Sequence, residues 1–279
     1  MYQFFVPPPP LQPFIQSYWR LRSPSLMLEE RIFVDCHADI LFNFGCAYER
    51  RYLHQLDKRD SLAVSNLDGQ RDYPLAIVQQ GDIDLVAVRF KPGGLAAFVP
   101  MPVHELSNLT LDLYTAFGAD ALVLESQLFD SAHDAAQQIT LLNLFFLQRL
   151  NIQAAHTFAL YVAQCIAASN VRVNIHELSA DVGYSIRTVD RLFQQHFGMS
   201  PKFYARIVRF QRALALMSKD VNITLMGVAL ACGYYDQAHF SKEFSAFAGQ
   251  NPERYREFLI ARTKAPPPNL VQYLQADKS

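Results

Sequence analysis

The chain has 279 residues, 51% hydrophobic and 18% charged, with a formal net charge of −1; this fits two globular domains of ordinary size and excludes a disordered or collagen-like protein. Its four cysteines (Cys36, Cys46, Cys165, Cys232) form no C-x-x-C pair and no Cys/His cluster, which argues against a structural zinc site or a disulfide scaffold and suits a reducing, cytoplasmic setting. Residues 1–169 hold 11 Lys+Arg against 17 Asp+Glu, a net −6, and residues 170–279 hold 14 against 9, a net +5, so the back of the chain is the part suited to an anionic partner.

The start, MYQFFVPPPP, has neither a basic n-region nor an apolar h-region, so no signal peptide is expected. Pro7–Pro10 and Pro13 read as extended chain, and Phe14–Trp19 as a first packed element. From about Glu30 to Arg89 the texture is that of strands: Arg31–Val34, Ile40–Phe44 and Asp84–Phe90 are short, rich in β-branched or aromatic residues and bounded by turn formers. Such runs predict a small antiparallel barrel or sandwich. After Lys91-Pro92-Gly93-Gly94 the spacing turns helical, over Leu95–Phe98, Ala121–Leu128 and Ala132–Leu150, and a further helix is expected over His156–Ala168. The most apolar stretch, Ile139–Leu150, is about half of what a bilayer requires, so no membrane partner is expected.

The last third contains an internal repeat. Ser185 and Asp236 are both N-cap residues that follow a Gly-Tyr pair, Gly183-Tyr184 and, with one extra turn residue, Gly233-Tyr234. From each cap onward the landmarks recur at an offset of 51: Arg191/Lys242, Phe193/Phe244, Gly198/Gly249, Pro201/Pro252 and Tyr204/Tyr255. Upstream of each cap lies a short helix of small and apolar residues (175–182 and 225–232), in which Ala180 and Ala229–Ala231 are read as allowing close helix approach. A short helix, a glycine turn and a capped second helix make a helix-turn-helix. Between the copies, Pro201–Lys219 has apolar Ile207, Phe210, Leu214 and Met217 at helical spacing. Nineteen such residues would measure about 28 Å, near the ~34 Å that separates successive major grooves on one face of B-DNA.

These residues carry a family resemblance. The region from about Asn174 to Phe258 resembles the DNA-binding domain of the AraC/XylS family of bacterial transcription regulators, through I-x2-L-S-A-D-V-G-Y-S, R-L-F-x4-G-M-S-P, R-F-x2-A-L-x-L-M and G-Y-x-D-x2-H-F-S-K-E-F-x4-G-x2-P-x2-Y-R. By that resemblance the first recognition helix presents Ser185, Arg187, Thr188, Asp190, Arg191 and Gln194 to double-stranded DNA, and the second presents Gln237, Ala238, Ser241 and Lys242. Gly183, Phe193, Gly198, Pro201, Arg209, Gly233, Phe244, Gly249 and Pro252 are the structural positions. The chemistry agrees: Arg191 suits guanine, Gln237 adenine, Lys242 guanine or phosphate, and Ala238 only a thymine methyl, which makes the second unit the weaker reader.

The expected fold class is α+β, with a β-rich barrel or sandwich plus helices followed by an all-α domain of two helix-turn-helix units joined by a long helix. The expected domains are 1–150 for effector binding or dimerisation, 151–173 as linker and first helix of the DNA-binding domain, 174–260 as the tandem helix-turn-helix, and 261–279 as a flexible tail. The resemblance implies that the first domain binds a small-molecule effector or mediates dimerisation, often on a cupin-like barrel. More narrowly, Ile40–Gly45 and Ala87–Leu106 resemble a recurring first domain of poorly characterised AraC-type proteins, which implies architecture and no particular ligand. The candidate partners are promoter DNA, RNA polymerase, an unidentified effector and a second copy of the chain.

No metal, cofactor or catalytic residue is expected, since no H-x-H occurs near His37, His54 or His104, and neighbours such as Cys36 and His37 point to opposite faces of a strand. Arg89, Lys91 and Gly93-Gly94 suggest either an anion-binding corner or a tight turn with solvated cations. A sensor or barrel enzyme with a degenerate DNA module is the alternative function.

Overall fold

The computed structural model describes residues 2–55, 57–169 and 174–264. The first third forms one eight-stranded antiparallel sheet of β1 (Tyr2–Phe5), β2 (Ile15–Ile32), β3 (Asp39–Asn43), β4 (Tyr48–Tyr52), β5 (Arg59–Leu62), β6 (Asn66–Asp68), β7 (Leu75–Phe90) and β8 (Thr110–Asp112). Its frame is the β2–β7 pair, which runs from Ile15↔Phe90 to Ile32↔Leu75 with register shifts between Ile15 and Ser17 and between Ser23 and Leu26, the latter beside Gly81. The other edge of β7 takes β3 along Leu85–Arg89 and β4 along Leu75–Val78. The sheet thus divides into two arms, and both arms contribute side chains to one cavity. Strand structure begins at Tyr2 with β1 and resumes at Ile15, well before Glu30, so the segment Phe14–Trp19 is largely the opening of β2.

Alternation along the strands separates core from cavity. Ile40, Phe42, Val86, Val88 and Phe90 point into a core shared with the helical side, while Asp39, Leu41, Leu85 and Arg89 line the cavity. The core is closed by α1 (Leu113–Phe117), α2 (Ala119–Asp130) and α3 (Ala135–Arg149), which contribute Leu113, Leu128, Leu142, Phe145 and Phe146. Leu95–Phe98 differs from the helical expectation: Gly94–Ala97 is a 3-10 turn. Helix α3 starts three residues later than expected because the Asp134 carboxylate caps it, accepting from the Gln137 N–H at 3.0 Å.

The remainder is all helix: α4 (Ala154–Ala168), α5 (Ile175–Asp181), α6 (Ile186–Phe197), α7 (Pro201–Lys219), α8 (Leu225–Ala231), α9 (Gln237–Ala248) and α10 (Pro252–Lys264). Residues 261–264 continue α10, so the tail expected from 261 does not begin there; residues 265–279 and residues 170–173 of the expected linker lie outside the described residues. Among the described residues no helix is long and apolar enough to cross a membrane.

The helical core is not built from the C-terminal part alone. Phe33, Val34 and Cys36, which follow β2, are buried in it. Phe33 packs edge-on against Phe210 and Tyr255, with ring centroids 6.2 and 5.8 Å apart. Around it the Val34 N–H donates to the Phe247 carbonyl (3.1 Å), Gln211 Nε2 to the Val34 carbonyl (2.9 Å) and Arg31 to the Gly249 carbonyl (3.2 Å).

Candidate nucleic-acid interface and ligand cavity

The two copies of the repeat fold alike because their local chemistry is alike. The Ser185 hydroxyl accepts from the Thr188 N–H (3.2 Å), and the Asp236 carboxylate from the His239 N–H (2.7 Å), each satisfying a free donor of the first helical turn. Both 12-residue helices end on a glycine in the left-handed region, Gly198 at φ 64° and Gly249 at φ 65°, a conformation that would strain an L side chain. Phe193 and Phe244 are both fully buried. Ser200 caps α7 by accepting from the Phe203 N–H (3.2 Å), and Pro201 occupies its first turn.

Of the small residues expected to let the short helices approach the recognition helices, Ala229 is buried as expected, and in the first copy Ser179 takes the place of Ala180. Ser179 and Ala229 are buried, whereas Ala180, Leu230 and Ala231 are exposed. With 3.6 residues per turn only one of these adjacent positions faces the partner helix. Ser179 is tolerated there because its hydroxyl donates to the Ile175 carbonyl at 2.7 Å.

On the outward side of α6, Arg187, Arg191 and Gln194 are exposed, and Thr188 and Asp190 half-buried. The Ser185 and Thr188 hydroxyls bond each other at 2.9 Å. Gln194 lies on a crevice shared with Gln70, Arg71 and Asn108 of the first domain, so it faces protein as well as solvent. On α9, Gln237, Ala238 and Lys242 are exposed and Ser241 half-buried. The exposed His239 between them is absent from the expected reading set; its Nδ1 lies 3.4 Å from the Tyr235 N–H.

Arg209 on α7 donates to Glu243 at 2.8 Å and lies over the Tyr234 ring, 4.4 Å from its centroid. Arg206 donates to the other oxygen of Glu243 at 2.8 Å. This buried carboxylate ties α9 to α7. It was not legible in the sequence, where it follows the exposed Lys242 and reads as one more solvated polar residue.

The second candidate site is the cavity between the arms of the sheet, of about 370 Å³, lined by Tyr2, Trp19, Leu21, Leu28, Tyr48 and Ile77 and by the polar Glu30, Asp39, Arg50, Asp68, Gln79 and Arg89. Arg50, fully buried, pairs with Asp68 at 2.9 Å and donates to the Thr110 hydroxyl. Arg89 pairs with Asp39 at 3.0 Å and with Asp35. Burial raises the Asp39 carboxyl to about 6, with Arg89 only partly offsetting it. At Asp35, Arg89 and His37 outweigh burial and hold the carboxyl below its ordinary value.

The anion corner considered for Arg89, Lys91 and Gly93-Gly94 is therefore a turn. Arg89 is neutralised by two aspartates, and Gly93, at φ 75°, leaves room for the Phe197 ring, which a Cβ there would meet at 2.6 Å. Cys36 Sγ is buried 3.6 Å from Met199 Sδ, and burial pushes its thiol up, which disfavours a nucleophilic role. Interior charges on otherwise alternating strands, such as Glu30, Arg50 and Arg89, are the signal from which sequence reasoning could have located the cavity.

Two helix-turn-helix units in tandem, each with a capped recognition helix, define the C-terminal part as a DNA-binding module. Residues 178–257 match the model of a helix-turn-helix domain family, and residues 3–112 match that of a domain of unknown function, DUF6597. The C-terminal module is an AraC-type helix-turn-helix domain. It is 40% identical over 67 residues to an uncharacterised HTH-type transcriptional regulator of Haemophilus influenzae, a match covering 24% of this chain and 22% of that protein. It is 34% identical over 91 residues to the HTH-type transcriptional activator RhaS of Pectobacterium carotovorum, covering 32% of each. The chain thus spans only about a quarter to a third of the length of these curated relatives. Over 87% of this chain and 97% of the other, the structure is similar to an apo ToxT variant of Vibrio cholerae, at 11% identity and a TM-score of 0.47.

Proposed function

We propose that this chain is a transcription regulator that reads a two-part DNA site with α6 and α9 and receives a small-molecule effector in the cavity of its first domain. The observation that carries the DNA reading is the repeat: two 12-residue helices at an offset of 51, with the same N-cap hydrogen-bond pattern and the same left-handed glycine cap, each presenting cationic and amide side chains to solvent. The 19-residue α7 between them would be about 28 Å long, suited to placing both helices in successive major grooves. In this reading residues 1–150 are the effector module and 174–260 the reader, with Arg187, Asp190 and Arg191 as the main base-edge contacts of α6 and Gln237, Ser241 and Lys242 those of α9. Promoter DNA, RNA polymerase and a second copy of the chain are the macromolecular partners of the same proposal, and no catalytic residue is assigned.

The effector reading draws support from the route between cavity and reader. Arg89 lines the cavity and grips Asp35 and Asp39, and the intervening segment carries Cys36 into the helical core beside Phe33 and Val34. A ligand that redistributes the Arg89 pairs would act directly on that inserted segment, which gives the two domains a shared element to bias.

The test is quantitative footprinting on sites recovered by mapping bound DNA across the genome. Arg191→Ala is expected to weaken the specific site by about 1–3 kcal/mol while leaving binding to random DNA within a few-fold. Unchanged protection by Arg191→Ala, or equal affinity of the parent for specific and random DNA at physiological salt, would reject the assignment.

A further inference from the structure

We propose that the cavity of the first domain takes a small organic cation, an amine on an apolar or aromatic body, with the Glu30 carboxylate as its counter-ion. The inference rests on the effector reading above and adds the chemical class.

Glu30 is 9% exposed and projects from β2 into the cavity between Leu28 and Ile32. Its Oε1 has no hydrogen-bond partner, and among the described residues no ion pair reaches it. A buried carboxylate without a counter-charge is costly. Burial accordingly raises its pKa to about 8 despite Arg89 nearby, which favours the protonated acid near neutral pH. A cation can take the place of that proton.

The remaining charges point the same way. Both cavity guanidiniums are already paired, Arg50 with Asp68 and Arg89 with Asp35 and Asp39. An anionic ligand would have to displace an aspartate from a guanidinium, whereas a cation meets a carboxyl that has no counter-charge. The unpartnered Nε–H groups of Arg50 and Arg89 can serve a neutral acceptor on the ligand body. The exposed Lys91 also borders the cavity, and among the described residues that line it the other cations, Arg50 and Arg89, are paired.

Two further features suit an ammonium group. Leu28 pairs with Gln79 and Glu30 with Ile77, so Gln79 and Glu30 lie diagonally on one face of the sheet. The Gln79 Oε1, also buried and unpartnered, offers a second acceptor. The lining is also aromatic: Tyr2 lies 5.6 Å from Trp19 and 4.5 Å from Phe4 between ring centroids, and Tyr48 borders the same cavity; the faces of such rings attract cations.

Trp19 is the sole tryptophan of the chain and lines the cavity, so its fluorescence reports occupancy directly. The experiment titrates the full chain with three probes that share one body and differ in charge: cyclohexylmethylamine, cyclohexylmethanol and cyclohexanecarboxylate. Saturable binding of the amine is expected at least about tenfold tighter than that of the other two. Glu30→Gln is expected to remove that preference while leaving the alcohol's affinity unchanged. The comparison of probes on the parent chain stands even if the variant fails to fold. If the alcohol or the carboxylate equals or exceeds the amine, the cation assignment is overturned while the cavity remains an effector site. If none of the three shifts Trp19 emission at millimolar concentration, both readings fail.

Discussion

Glu243 decides how the second recognition helix is held. Its carboxylate accepts from Arg206 and Arg209, each at 2.8 Å, and is itself 5% exposed. Removing one partner of a fully buried pair typically costs about 3–5 kcal/mol. Here the Arg206 side chain is 39% exposed, and water recovers part of that loss. Glu243→Gln is therefore expected to destabilise the chain by about 2 kcal/mol, read from the urea midpoint at constant slope, and to loosen α9 on α7. A change within a few tenths of a kcal/mol would mean that the two arginines are solvated without it. Arg209, named from the family pattern as a structural position, has its partner only because α9 packs across α7, a contact 34 residues away in sequence.

At the scale of elements, two glycines with nearly the same backbone angle test packing against conformation. Gly183 (φ 72°) turns α5 into α6 with nothing within 4 Å of an added Cβ, whereas Gly93 (φ 75°) would drive a Cβ into the Phe197 ring at 2.6 Å. Gly183→Ala should cost about 1 kcal/mol, the price of the left-handed region alone. Gly93→Ala should cost about 1–3 kcal/mol more, because the ring must also shift within a packed boundary between the domains. Parallel denaturation of the two variants separates the effects; equal losses would show that the boundary yields freely. The glycine turns and caps of the repeat were legible in the sequence because a cap needs only its own next few residues. The contact of Gly93 with α6 was not, since nothing near Gly93 announces a ring more than a hundred positions away.

Across the whole molecule, the boundary between domains contains a stacked histidine pair, His156 of α4 and His196 of α6, with ring centroids 5.1 Å apart. His156 Nε2 lies 2.9 Å from the Gly93 carbonyl. Burial, and secondarily His156, push His196 down to about 4 from its ordinary 6.5. Both states are neutral above about pH 6.5, so the pair costs nothing there. As pH falls from about 6.5 toward 4, the unfolded chain takes up protons that the folded chain refuses, and stability declines. The raised carboxyls of Glu30 and Asp39 add stability over the same window in both chains, so the histidine contribution is read as a difference. On acidification the urea midpoint of His196→Phe should gain on that of the parent, and parallel profiles would place no acid sensitivity at His196.

The sequence alone determined the reader's construction: where its helices start and stop, that it is duplicated, and that a 19-residue helix joins the copies. Those features are set by caps, glycines and periodicity, interactions that reach only a few residues along the chain. The α+β class followed for the same reason, from short β-branched and aromatic runs bounded by turn formers in the first third and a 3.6-residue period in the rest. Tertiary structure decided what depends on partners distant in sequence. It bent β2 and β7 around a cavity and left Glu30 inside it without a counter-charge. It gave Arg89 two aspartates where an anion corner was conceivable, and buried Phe33, Val34 and Cys36 in the helical core. Charges on a strand look alike in sequence whichever way they point, and only packing selects the face that loses its water.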